Sequence, residues 1–241
     1  MSTVVDLSAF GSRGFGMEGA ASGDQAGRSV SDAGDVNGDG FNDIIVGAPL
    51  AGFGATGAAY VVFGHASGFG ALDLGNLQPS EGFAIRGIGS VDYTGISVSS
   101  AGDINGDGFD DVIVGTSVGG YYFSGISRAY VLFGNEDGFR TIDLSQLSPS
   151  AGFVLSGSAN RADALSVANA GDINGDGFAD LIVGSRESYR RRRRILRRLW
   201  QGGRFQQYRS YPRCSRHRLR GHRSGRVQDR HQRIERRRYQ R

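Results

Sequence analysis

Three acidic loops, spaced almost evenly along the chain, constrain its fold more than any other feature. They are Asp35-Val-Asn-Gly-Asp-Gly-Phe-Asn-Asp43, Asp103-Ile-Asn-Gly-Asp-Gly-Phe-Asp-Asp111 and Asp172-Ile-Asn-Gly-Asp-Gly-Phe-Ala-Asp180. Oxygen side chains at loop positions 1, 3, 5 and 9 can converge on one point, and position 7 can add its backbone carbonyl. Glycine at position 6 (Gly40, Gly108, Gly177) permits the sharp turn that convergence needs. Hard oxygen donors, three of them carboxylates, suit Ca²⁺. Asp, Asn and Gly are also the ordinary residues of turns, but three copies at a fixed spacing are not expected of turns alone. The helical calcium hand is disfavoured: its position 12 takes Glu, and here that position holds Val46, Val114 and Val183. Each loop runs directly into Ile-Ile-Val-Gly, Val-Ile-Val-Gly or Leu-Ile-Val-Gly, the pattern of a short buried strand.

The loops begin at Asp35, Asp103 and Asp172, so the periods are 68 and 69 residues, and other landmarks keep the same step. Tyr60-Val-Val-Phe-Gly64 returns as Tyr130-Val-Leu-Phe-Gly134. Asp6-Leu returns at Asp73 and Asp143, and Gly14-Phe returns at Gly82 and Gly152. Each unit is several short strands divided by Gly-rich turns, with no helical period. An all-β repeat array is expected, and four strands per unit point to the blades of a partial β-propeller rather than to a β-solenoid. The units run over about residues 5–64, 65–134 and 135–185.

These residues resemble the FG-GAP repeat, the blade of the β-propeller head of integrin α chains. The calcium loop, the strand after it and Gly47-Ala48-Pro49 stand in the family's order. Gly115-Thr-Ser and Gly184-Ser-Arg replace Gly-Ala-Pro in the later copies. The Phe-Gly half is eroded to Ala26-Gly27, Thr94-Gly95 and Ala164-Leu165, so irregular contact between blades is expected. The resemblance implies calcium ligands at Asp35, Asn37, Asp39 and Asp43 in the first blade, at Asp103, Asn105, Asp107 and Asp111 in the second, and at Asp172, Asn174, Asp176 and Asp180 in the third. It implies backbone oxygens from Phe41, Phe109 and Phe178. It further implies a non-catalytic adhesion or scaffold module at the cell surface or outside the cell, with an extracellular protein or glycan as ligand and further blades as neighbours. Related repeats accompany a secreted phospholipase D, so an accessory role beside a hydrolase is the rival expectation. None of that enzyme's catalytic residues can be matched here.

The composition breaks near Arg186. Residues 1–185 hold 6 Arg and no Lys against 21 Asp plus Glu, a net charge of −15. Residues 186–241 hold 22 Arg against 3 acidic residues, a net of +19. The overall +4 averages two unlike segments and says little about partners. Runs such as Arg190–Arg194 could form a basic arm for nucleic acid or a solvated tail without a role, but a shifted reading frame explains more. The last two bases of each codon, joined to the first of the next, can decode Ile195–Trp200 as S-Y-V-V-F-G, with the Gly forced by Trp200 and Gln201. The same frame can give K-A-G-G-F-S-N-I-D-L over residues 201–210 and S-S-A-G-D-I-N-G over 234–241. An acidic loop then restarts at position 238, 66 residues after Asp172. Residues 186–241 are therefore expected to be a fourth repeat read out of frame, disordered as it stands, with no nucleic-acid role. The third blade is expected to keep an open strand edge.

Two complete units, a third truncated one and a garbled fourth do not clearly close a ring, so the chain reads as part of a larger array. The single Cys, Cys214, lies in the tail and excludes a disulfide framework, which leaves calcium as the staple. The N-terminus has no signal-peptide pattern, and no stretch reaches the length of a membrane span. His65, the only His before the tail, is expected on the surface, while His217, His222 and His231 fall in the tail. Tyr121-Tyr-Phe123 is expected to pack between blades.

Overall fold

The computed structural model describes residues 14–117, 126–136, 140–156, 162–187, 194–201 and 204–209. They are all-β apart from one 3₁₀ turn at Leu144–Gln146, capped by the Asp143 side chain on Ser145 N. A two-residue strand β1 (Met17–Glu18) comes first. The first sheet is then built from β2 (Ser29–Gly34), β3 (Asp43–Ala48), β4 (Ala58–Val62) and β6 (Gly82–Arg86), with the short β5 (Leu72–Asp73) before β6. The second sheet uses β7 (Ser97–Gly102), β8 (Asp111–Gly115), β9 (Arg128–Leu132) and β11 (Gly152–Ser156), with β10 (Ile142–Asp143) before β11. The third uses β12 (Ala162–Gly171), β13 (Asp180–Glu187), β14 (Arg194–Gln201) and β15 (Arg204–Arg209).

Each sheet is a four-strand antiparallel meander, the up-and-down order of a propeller blade. Two parallel pairings link neighbours: β10 pairs with β6, and β5 pairs with β1. Thus β1 stands to β5 as the outer strand of the first sheet stands to β10. Three sheets packed in series, one per period of the sequence, form a partial β-propeller.

The middle strands are apolar on both faces because both faces are covered. All five residues of β4 and all five of β8 are buried, and a strand with both faces covered loses the polar alternation of a half-exposed one. One core, with Val36, Ile45, Val61 and Ile85 on one side and Val98, Val112 and Tyr130 on the other, joins the first sheet to the second. A second, with Ile104, Ile113 and Val131 against Val167, Leu181 and Val183, joins the second to the third. A third lies on the opposite face of the first sheet, where Tyr60, Leu72 and Leu74 meet Phe15 and Met17 of the β1 segment.

The arginine-rich segment departs from expectation. Residues 194–201 and 204–209 form β14 and β15, and Leu181–Ser185 pair with Arg194–Arg198, so the strand edge expected to stay open is occupied. The outer edge of β13 offers a row of unpaired backbone donors and acceptors, and a segment holding Ile195, Leu196, Leu199 and Trp200 has enough β-propensity to extend along it. Backbone pairing does not require the period-2 pattern that this segment lacks. The join is short, at residues 202–203, whereas β4 to β6 and β9 to β11 are each joined through a connection that carries a further short strand. Residues 210–241, with Cys214 and three of the four His, lie outside the described residues, as do Tyr121-Tyr-Phe123. Among the described residues no helix is long and apolar enough to cross a membrane.

Candidate metal centre

Each acidic loop connects the first strand of a sheet to the second, so all three occupy equivalent places between β2 and β3, β7 and β8, and β12 and β13. Their internal hydrogen bonds repeat. In the first, Asp39 N donates to both Asp35 Oδ1 and Asn37 Oδ1 at 3.0 Å, and Gly40 N donates to Asp35 Oδ2 at 2.9 Å. Asn37 Nδ2 donates to Asp39 Oδ2 at 2.9 Å, and Phe41 N to Asp39 Oδ1 at 2.9 Å. In the second, Asp107 N reaches Asp103 Oδ1 at 3.1 Å and Asn105 Oδ1 at 3.0 Å, while Gly108 N reaches Asp103 Oδ2 at 2.9 Å. In the third, Asp176 N reaches Asp172 Oδ1 at 3.1 Å and Asn174 Oδ1 at 2.8 Å, and Gly177 N reaches Asp172 Oδ2 at 2.9 Å. These amides hold the exposed Asp172 carboxyl below the usual carboxylate range, Gly177 N contributing most.

Glycine makes the turn possible. Position 6 has φ of 88°, 95° and 89° at Gly40, Gly108 and Gly177, the left-handed region that side-chain-bearing residues rarely enter.

Position 9 is different. Asp43 is 1% exposed, and its two oxygens accept from Val36 N at 2.9 Å and Gly64 N at 2.8 Å. Asp111 does the same with Ile104 N and Gly134 N, both at 2.9 Å. In the third loop Ile173 N donates to Asp180 Oδ2 at 2.9 Å. Position 9 therefore clamps the loop to its own strand and, in the first two sheets, to the glycine two residues past the third strand. Burial pushes the Asp43 carboxyl up to about 6 and Asp111 up to about 7, against the pull of those amides; the loop's own Asp39 and Asp35, or Asp107 and Asp103, push the same way.

The structure brings the oxygens of positions 1 and 3 onto the amide of position 5 and those of position 5 onto the amide of position 7, while position 9 turns onto backbone amides and, in the third loop, also accepts from Asn174 Nδ2 at 3.3 Å. Among the described residues no three His, Cys, Asp or Glu side chains form a ready-made metal cage. The donor chemistry nevertheless fits a hard divalent cation. Each loop offers carboxylate and amide oxygens only, and its acidic side chains repel one another where no cation stands between them.

Two roles escaped the sequence. The position 7 phenylalanine carries a contact with its side chain: Phe109 lies over Gly38, and Phe178 over Gly106, so closely that a Cβ on either glycine would stand 2.5 Å from the ring. Position 8 ties one loop to the next. Asp110 Oδ2 accepts from Asp35 N at 2.9 Å, and Asp110 N donates to Asp35 O at 3.0 Å. The signal for the first was present in the repeat, since a position 4 glycine with no ligand role needs another reason. Elsewhere, the eroded Phe-Gly half still keeps sheets in register: Gly27 N donates to Gly47 O and Gly95 N to Gly115 O, both at 3.1 Å, and Gly95 O lies where a Cβ on Gly47 would be. His65 is exposed, its ring centroid 4.6 Å from that of Phe69 at a tilt of 56° and its Nδ1 2.9 Å from Ser67 Oγ.

The FG-GAP repeat model matches residues 26–62, 94–132 and 164–191, each match taking in one acidic loop with its flanking strands. Over 105 residues the chain is 41% identical to integrin alpha pat-2 of Caenorhabditis elegans, covering 42% of this chain and 8% of that protein. It is 38% identical over 96 residues to integrin alpha-E of Mus musculus, covering 37% and 8%. It is 32% identical over 155 residues to phosphatidylinositol-glycan-specific phospholipase D of Bos taurus, covering 63% and 17%. The chain therefore spans between 8 and 17% of the length of these relatives. Three matched repeats, three blade-like sheets and three loops in equivalent places show that this chain carries three FG-GAP repeats, similar to those of integrin alpha chains.

Proposed function

We propose that the three loops bind Ca²⁺ and that the repeats serve as a calcium-stiffened, non-catalytic module of an adhesion or scaffold protein that works outside the cell or on its surface. The observation that carries this is the threefold recurrence of one donor arrangement. In each loop the side-chain oxygens of positions 1 and 3 (Asp35 and Asn37, Asp103 and Asn105, Asp172 and Asn174) accept from the amide of position 5, and the position 5 carboxylate (Asp39, Asp107, Asp176) accepts from the amide of position 7. In this reading Asp43, Asp111 and Asp180 close the ligand set at the loop ends, and Phe41, Phe109 and Phe178 would lend backbone oxygens. Bound calcium would draw the carboxylates together, relieve their repulsion and fix the loop. Similarity to integrin alpha chains supports an extracellular protein or glycan as ligand. Calorimetric titration of the chain with CaCl₂ tests the metal: three sites per chain are expected, and none once Asp39, Asp107 and Asp176 are all changed to Ala. No heat of binding with the unaltered chain would sink the reading.

The longer match to a phospholipase D favours one second reading, in which the same calcium-bound blades accompany a hydrolase domain. Hydrolytic activity in a longer product of the gene, absent from these repeats alone, separates the two.

We also propose that residues 186–241 are a fourth repeat translated out of frame. Strand register supports it. Val46 pairs with Tyr60, Val114 with Tyr130 and Val183 with Leu196, and the shifted frame reads position 196 as tyrosine. Resequencing the gene across codons 180–200 is the test. A single extra base is expected there, and an unaltered sequence whose shifted frame soon stops would overturn it.

A further inference from the structure

The acidic loops do not stand apart from one another. Each later loop leans on the one before it through positions 7 and 8, and the two contacts differ in strength. Between the first and second loops, Asp110 Oδ2 accepts from Asp35 N at 2.9 Å and Asp110 N donates to Asp35 O at 3.0 Å. Position 8 of one loop thus closes on both backbone groups of position 1 of the other. Asn135 N, just past β9, adds a bond to Val36 O at 3.0 Å. Gly34 lies directly against the Asp110 carboxyl, and a Cβ there would collide with it. The Phe109 ring seats on Gly38, between Asn37 and Asp39.

The second and third loops share the ring contact but not the rest. Phe178 seats on Gly106 as Phe109 does on Gly38. Position 8 of the third loop is Ala179, whose amide lies 3.5 Å from Asp103 O. Its methyl group, rather than a carboxyl, faces Gly102, the counterpart of Gly34. The backbone is shaped alike at the two glycines, with φ of 75° at Gly34 and 62° at Gly102, so the side chain at position 8 is what differs. Alanine has no oxygen with which to accept from Asp103 N.

These contacts fall on the residues that the proposed calcium sites use. Asp35, Asn37 and Asp39 carry side-chain oxygens of the first site. Phe109 would lend its backbone oxygen to the second, and Asp110 stands between it and Asp111. Resting on that reading of the loops, we propose that the first and second loops take up calcium as a coupled pair, linked through Phe109 and Asp110, while the third loop binds almost independently. Ligation in the second loop fixes positions 7 and 8, and these hold the backbone of the first loop at positions 1 and 4. The second ion bound therefore has less chain to order than the first had, which is positive cooperativity without a larger change of shape. The coupling is reciprocal, so whichever loop fills first, the other gains the same factor. Two hydrogen bonds and one seated ring put that factor at about 5–10-fold, the lower end of the usual range.

Calorimetric titration of the full chain and its variants with CaCl₂ tests this. Asp176→Ala leaves the first two sites and is expected to bind with a Hill slope above unity. Adding Asp110→Ala should keep both sites and bring the slope down to unity or below. Asp39→Ala leaves the second and third sites, and its slope is expected near unity. Adding Ala179→Asp to that chain supplies the missing carboxylate and should raise the slope above unity. Circular dichroism accompanies each titration, and if Asp110→Ala fails to fold, Ala179→Asp decides. A slope of unity or less in the Asp176→Ala chain overturns the coupling while leaving the calcium sites themselves intact. So does a slope that survives Asp110→Ala in a folded chain, or one that Ala179→Asp does not raise. No heat of binding from the unaltered chain would instead remove the calcium reading, and the coupling with it.

Discussion

Within each loop the residues divide by exposure. Positions 1, 3 and 5 sit at the solvent edge on backbone amides, while position 9 is buried and clamps strands together. The two kinds of aspartate should therefore respond differently to the same change. Asp111→Asn keeps one acceptor but turns an NH₂ toward the Ile104 or Gly134 amide, where both donors meet. A hydrogen bond to a charged, buried group contributes about 1.5–3 kcal/mol, so a loss of that order is expected in urea unfolding. Asp110→Asn, at position 8, should cost less, because the asparagine side chain keeps an oxygen that can accept from Asp35 N. Equal losses for the two would remove the clamp as the explanation. The repeat made the loop's oxygens and its position 6 glycines legible in the sequence. It could not tell which carboxylate faces inward, because inwardness depends on the glycine two residues past the third strand, 21 residues past Asp43 and 23 past Asp111.

Strands were the most readable elements. Ile44-Ile-Val-Gly, Val112-Ile-Val-Gly and Leu181-Ile-Val-Gly all fall in second strands, because a β-branched apolar run between turn residues has few other solutions. Identical strand sequence does not guarantee identical energetics. Ile113 is fully buried between the second and third sheets, and Ile113→Ala should destabilise by about 2–5 kcal/mol. Ile182, its repeat, is 37% exposed on the third sheet's outer face, and Ile182→Ala should cost no more than about 1 kcal/mol. Urea midpoints measured side by side check this, and equal costs would mean that the third sheet's outer face is covered in solution. The strands β14 and β15 were the elements least readable. Their composition predicted no order, while the free edge of β13 supplied the pairing.

At the scale of the whole molecule, the three blades lack disulfides among the described residues, and the acidic charge of residues 1–185 opposes compaction. Calcium bound only by the folded state would offset this by mass action, about 2.7 kcal/mol per site when its concentration is a hundred times Kd. The melting temperature is therefore expected to rise in millimolar Ca²⁺ and to fall back on adding a chelator, with the triple variant Asp39→Ala, Asp107→Ala, Asp176→Ala unresponsive. A chelator-insensitive melting temperature would leave the loops as turns held by backbone amides alone.

By itself the sequence determined the repeat, the number of acidic loops, the strand after each and the all-β blade. All of these are local, written in the spacing of Asp, Asn and Gly and in runs of Val and Ile, and they recur at a fixed step. Tertiary structure alone decided that position 9 turns inward, that phenylalanines at position 7 seat on the glycines of the loop before, and that equivalent residues such as Val30 and Val98 differ so widely in exposure. Those properties belong to contacts between sheets, and a residue's own neighbours in the chain do not say whether another sheet lies against it.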